Sequence, residues 1–263
     1  MIAPSPPAIE AAAATGFAPA IDIPYRYHIE QQRDEAGVVR RYATDRTIRF
    51  RRTADGLVAD MVIDAVDGGL SDGPGAMFER AFATLRGRPI RYTLSDRGDV
   101  TGVIDRPAIW NALIDAVAAQ AGSDPGRAAM LGRLTAPLRA MPERQQVAML
   151  GSMLTNLLAP DVVRRGVQPE RPIRRPGAPP FGAGTEVTGT ERIYAQGREL
   201  IAEERLSGDV AAIARAATGR RTSSMTRSVD AVTGLIVRQT STVRIDTGGA
   251  TSIATTRITL HQP

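Results

Sequence analysis

The 263-residue chain is 43% hydrophobic and 23% charged, which is ordinary globular composition with enough apolar material for a real core. It carries no cysteine, so disulfides, thiol catalysis and thiolate metal sites are excluded. Its formal net charge of +5 comes entirely from arginine, since no lysine occurs.

An arginine-only chain rich in Ala and Gly reads as the imprint of a GC-rich genome rather than of a binding task. Aromatics at 4% are too sparse for the stacking platforms of single-strand binders, so no nucleic-acid partner is expected. Every apolar run is broken well short of the roughly 20 residues a bilayer crossing requires, so no transmembrane segment is expected. Met1 to Ala20 lacks a basic n-region and is interrupted by Pro4, Pro6, Pro7 and Glu10; residues 1–20 read as a disordered Pro/Ala-rich leader. That leader favours a periplasmic or secreted setting, with a cytoplasmic one as the alternative.

Residues 21–263 read as a single α+β domain. Tyr25, Tyr27 and Ile29 alternate with Arg26, His28 and Glu30, the period of a strand with one wet face. Tyr42, Ile48 and Phe50 share one parity of the run from Val38 to Arg52, and Asp55-Gly56 supplies a tight turn. Leu57, Ala59, Met61 and Ile63 then alternate with Val58, Asp60, Val62 and Asp64. Ala76 to Arg86 has the spacing of a short helix. Strands resume at Ile90 to Leu94 and Val100 to Ile104, around a turn at Asp96-Arg97-Gly98.

From Pro107 to Ala159 the period changes to that of helices. Asp105 is placed as an N-cap, and Ile109, Trp110, Leu113, Ile114 and Val117 form one stripe. A second helix follows Ser123-Asp124-Pro125 and bends or ends at Pro137; a third starts after Pro142 and stops at Pro160. Residues 166–184, with five prolines plus Arg171, Arg174 and Arg175, read as a solvated linker, because proline lacks the donor that regular structure needs. Strands return over 185–262, punctuated at Gln196-Gly197, Ser207-Gly208, Thr233-Gly234 and Gly248-Gly249. Asp209 to Ala217 has the spacing of a short helical insertion.

No catalytic motif is present. His28 and His261 both fall on polar parities, and no further ligands accompany them, so neither a metal nor a cofactor is expected. Asp64, Asp67 and Asp72 have calcium-loop composition without EF-hand spacing, and Gly182-Ala183-Gly184 leads into a strand where a dinucleotide fingerprint needs a helix. Glu203 and Glu204 point to opposite faces of a strand and cannot act as a pair. The chain is therefore expected not to be an enzyme, with carboxylates scattered in sequence as the one catalytic alternative.

Methionines in and beside the helical block suit an adaptable apolar surface. Met61, Met77, Trp110, Leu113, Met130, Leu134, Leu150 and Met153 are accordingly the candidate ligand-lining residues.

The Tyr25 to Arg33 and Val38 to Arg52 strands, the Tyr92 to Gly102 hairpin entering the Trp110 helix, and the Asp230-Ala231-Val232-Thr233-Gly234 turn give a layout that resembles bacterial envelope proteins of the lipoprotein-carrier (LolA/LppX-like) type. The resemblance covers most of the chain in layout and rests on no diagnostic motif. It implies a strongly curved, mainly antiparallel sheet built from the two strand blocks, with the helical block packed on its concave face; turn spacing gives about eight to ten strands. The resemblance also implies an envelope protein that binds a hydrophobic or lipid-like ligand between sheet and helices. The alternative is a scaffold that engages an envelope protein partner and binds no small molecule.

Overall fold

The computed structural model describes residues 16–35, 37–68, 80, 82–122, 124–176, 186–211 and 218–261. Met77, Asp72, Gly182 to Gly184 and, of the helix expected over Ala76 to Arg86, residues 76–79 and 81 lie outside them. So do residues 1–15 of the expected leader and residues 212–217 of the expected insertion.

Eleven strands form one hydrogen-bonded antiparallel order among the described residues. They are β1 (Pro24–Glu35), β2 (Val38–Thr53), β3 (Gly56–Gly68), β4 (Ile90–Leu94), β5 (Val100–Val103), β6 (Gln168–Pro176), β7 (Glu186–Gln196), β8 (Glu199–Ala211), β9 (Thr218–Asp230), β10 (Ile236–Thr247) and β11 (Ala250–His261). The order is β5-β4-β3-β2-β1-β11-β10-β9-β8-β7-β6, so strands from both ends of the chain do feed one sheet. Four α-helices lie between β5 and β6: α1 (Arg106–Ala118), α2 (Pro125–Arg139), α3 (Glu143–Thr155) and α4 (Pro160–Arg165). Contacts divide the chain into two compact units.

The helix-bearing unit comprises Ala20–His28, Tyr42–Leu158 and His261–Pro263. Its core sits where the alternation predicts: Tyr27, Ile48, Phe50, Ala59, Met61, Ile63, Ile90 and Tyr92 face inward and are each at most 1% exposed. Leu131, Leu150, Leu154 and Leu157 come from the helical segments and are each at most 2% exposed. Asp124 caps α2, its Oδ1 accepting from the backbone N–H groups of Gly126 (2.9 Å) and Arg127 (3.2 Å). Asp105 sits at the N-cap of α1 at φ +56°, but its side chain makes no cap hydrogen bond. Pro137 lies inside α2, which runs on to Arg139.

The strand-rich unit comprises Met1–Pro19, Ile29–Arg41 and Ala159–Leu260. Gly248 and Gly249, both at positive φ, turn β10 into β11 with Thr247 paired to Ala250. Between β9 and β10, Asp230 Oδ1 accepts from the N–H groups of Val232 (3.0 Å) and Thr233 (2.8 Å), and Gly234 takes φ +71°. The Gly234 carbonyl then accepts from Ala159 N–H at 2.8 Å, which seats the start of α4. Val162 of α4 and Ala159 bury against Ile193, Leu200, Ala202, Val229 and Ile236.

Two expectations are corrected. Pro160 begins α4, where its missing donor costs nothing, instead of ending the helical block. Gln168–Pro176 is strand β6 instead of a linker, and its pairing with β7 takes the strand count past the expected range. As an edge strand, β6 needs donors on one side only, so its prolines are tolerated.

Candidate functional site

The apolar stripe of α1 repeats at the helical period and puts Trp110, Leu113, Ile114 and Val117 in one wall of a small opening in the helix-bearing unit. Leu138 of α2, Met149 and Leu150 of α3, and Phe82 complete it. Trp110 Nε1 donates to the Leu138 carbonyl at 3.1 Å, near the C-terminus of α2, where that carbonyl also accepts from Met141 N–H at 3.2 Å. That bond fixes the indole and spends its donor, so the lining offers a ligand carbon and sulfur and little else. The volume is about 30 Å³, roughly the liquid share of one water.

Trp110, Leu113 and Leu150 are the three expected ligand-lining residues brought together here. Met61 and Met153 are buried elsewhere in the unit, at 0% and 6% exposure. Met130 and Leu134 lie on the solvent side of α2, at 50% and 37%, because that helix buries Leu131 and Thr135 instead. Met149, 41% exposed at the opening, belongs to the methionine group of the helical block but was not among the eight. Its position one residue before Leu150 was the available signal.

The strand-facing side of α3 is held by polar tethers. Tyr92 of β4 donates its hydroxyl to the Leu150 carbonyl (3.2 Å), and Arg46 of β2 donates Nη1 to the Met153 carbonyl (2.8 Å). Tyr27 of β1 donates to the carbonyl of Leu157, just past α3, at 3.4 Å. Burial pushes both phenols well above the ordinary tyrosine range and draws the Arg46 guanidinium down. Neither tyrosine is available as an acid or base near neutral pH. Arg46 Nε and Thr44 Oγ1, two residues apart on β2, are buried without a hydrogen-bond partner among the described residues.

The strand-rich unit holds the other concentration of charge. Glu191, 6% exposed, receives Arg165 Nη1 at 2.6 Å and Arg171 Nη2 at 3.0 Å. Burial by itself raises its pKa, but the hydrogen bonds and charges of the two arginines together outweigh that and hold the carboxyl below its usual range. Arg175 pairs with Glu204 at 2.5 Å, and Arg174 lies 3.8 Å from Glu186. The arginines read from sequence as solvated linker charges are thus ion-paired along β6. Glu203 points to the other face of β8, where Arg192 Nη2 (2.8 Å) and the Tyr194 hydroxyl (3.1 Å) meet it. His28 Nδ1 lies 2.7 Å from Asp45 Oδ1, with both side chains exposed. Among the described residues no group of three His, Asp or Glu is placed to hold a metal ion, and no helix is long and apolar enough to cross a membrane.

No protein-family model and no curated protein matches the chain. Among solved structures, one described as "lipid-protein interactions in lipovitellin" is similar at a TM-score of 0.46 and 12% identity, over 93% of this chain and 26% of that one. The chain spans about a quarter of that protein's length, and a likeness at this level carries no functional argument.

Proposed function

We propose that this is a non-catalytic protein of the bacterial envelope that binds an apolar, lipid-like molecule through its helical layer, with Trp110, Leu113 and Leu150 at the entrance. The observation that carries the reading is an opening lined almost wholly by carbon and sulfur whose one indole donor is already satisfied. Such a surface gains about 0.8 kcal/mol for each methylene it takes out of water and offers nothing to a polar ligand.

At about 30 Å³ the opening holds no acyl chain until side chains move. Met149 is the residue to move: it is unbranched, 41% exposed and free to change rotamer without disturbing the enclosed leucines behind it.

The test is native mass spectrometry of protein purified without detergent, alongside fluorescence of phenylnaphthylamine, with Met149→Trp as a plugged variant. Expected are adducts that lipid extraction removes, brightening of the probe, and loss of both in Met149→Trp. A bare protein mass together with a dark probe overturns the reading. Fractionation of the native host tests the envelope setting, and recovery in the cytoplasm alone refutes it.

A further inference from the structure

A second opening in the helix-bearing unit has different chemistry from the apolar one. Strand β5 stands at one end of the strand order, and no described strand pairs with its outer edge. Beside Val100 and Thr101 runs a groove of about 610 Å³, whose far wall is the row Arg144, Val147, Ala148 and Gly151 of α3, closed by Thr155, with Glu143 also in its lining. These positions recur every three or four residues and share one helix face. A Cβ on Gly151 would stand 3.2 Å from Val100 Cγ1, so the glycine sets how closely α3 approaches β5.

We propose that this groove takes an extended peptide as an added strand on β5, with an acidic end at Arg144. An unpaired strand edge presents alternating N–H and C=O groups, and an extended backbone satisfies them in register. The row from Arg144 to Thr155 is about 16 Å long at a 1.5 Å rise, the length of about five extended residues. Ala148, small and exposed, leaves room for a side chain of the guest, while Gly151 is closed off by Val100.

The charge at the groove's end sets the polarity. Glu143 is engaged by Arg106 Nη2 at 3.3 Å, whereas Arg144 is exposed and makes no ion pair among the described residues. It stands in the first turn of α3, where the helix dipole adds partial positive charge. A C-terminal carboxylate or an Asp side chain is the complementary group.

The probe is a dye-labelled pentapeptide, Thr-Val-Thr-Val-Asp with a free C-terminus, followed by fluorescence anisotropy against the full chain. Light scattering gives the oligomeric state, and circular dichroism confirms that variants fold. Expected results are loss of binding in Ala148→Trp, which fills the groove from an exposed helix position, and loss with a peptide N-methylated at alternate residues. Arg144→Gln weakens binding by about threefold, the size of an exposed charge pair, and does not affect an amidated Thr-Val-Thr-Val-Asn peptide. Met149→Trp leaves peptide binding unchanged, which separates this site from the apolar one. Equal binding to Ala148→Trp, or no binding to the native chain, overturns the proposal. A dimer that Ala148→Trp converts to monomer also overturns it, because a second copy is then the occupant.

Discussion

Glu191→Gln is the substitution that most directly tests whether the β6 arginines hold structure or merely decorate it. The carboxylate is 6% exposed and takes one hydrogen bond from Arg165 (2.6 Å) and one from Arg171 (3.0 Å). Fully buried charge-assisted bonds contribute about 1.5 to 3 kcal/mol each, but the partners here are only partly enclosed, with Arg165 at 27% and Arg171 at 47% exposure. Solvent screening reduces the Arg171 bond to about 0.5 kcal/mol, and about 1.5 kcal/mol is reasonable for Arg165. Glutamine keeps the shape and one acceptor, so the expected loss is about 1 to 2 kcal/mol, or about 2 to 8 °C in Tm. The pH dependence gives the sharper signature. Because the folded pKa of Glu191 lies below its unfolded value, its contribution is fully present above the unfolded pKa and disappears as pH falls through the folded one. Thermal unfolding of the native protein and of Glu191→Gln, followed by circular dichroism at pH 7 and again well below the ordinary glutamate range, should show a gap at the first that closes at the second. A gap of the same size at both, or none at pH 7, refutes the assignment.

Arg46→Met removes a guanidinium that is paired with one helix carbonyl and no carboxylate among the described residues. The change in stability should lie within about 1 kcal/mol, with stabilisation an acceptable outcome, and a loss above about 3 kcal/mol in a urea titration would show that the Met153 tether is indispensable. Gly234→Ala forces a Cβ against the Gly16 carbonyl oxygen at φ +71°. It should cost about 2 kcal/mol or more, and an unchanged Tm would mean that the turn seating α4 is not rigid.

Features that depend on neighbours in sequence were legible, and features settled by distant partners were not. The Asp230 to Gly234 turn, the Gly248-Gly249 hairpin and the parity of β1 to β3 follow from local backbone freedom and alternation. The Trp110 stripe follows from the helical period, which is why Trp110 and Leu113 were found at the opening. The buried face of α2 is different, since Met130 and Leu134 are as apolar as Leu131, and only packing decides that Leu131 turns inward while Met130 faces water. For β6, three prolines speak against a strand locally, and the pairing that makes it one comes from β7, further along the chain, with Arg171 opposite Glu191. Proline argues against strands only where both edges must be paired.

The same reasoning explains why the two ends of the strand order differ. The β6 edge carries Pro169, Pro172 and Pro176 with Arg171, Arg174 and Arg175, the combination that blocks strand addition by removing donors and adding charge. The β5 edge is Val-Thr-Gly-Val, with neither proline nor charge. An edge left open in that way invites indiscriminate pairing unless it is short or guarded. At four residues β5 is short, and the α3 row from Arg144 to Thr155 stands alongside it. A guest strand must therefore satisfy a helix wall as well as a backbone, and a requirement for small side chains plus an acidic end is how such a wall turns an aggregation-prone edge into a selective one.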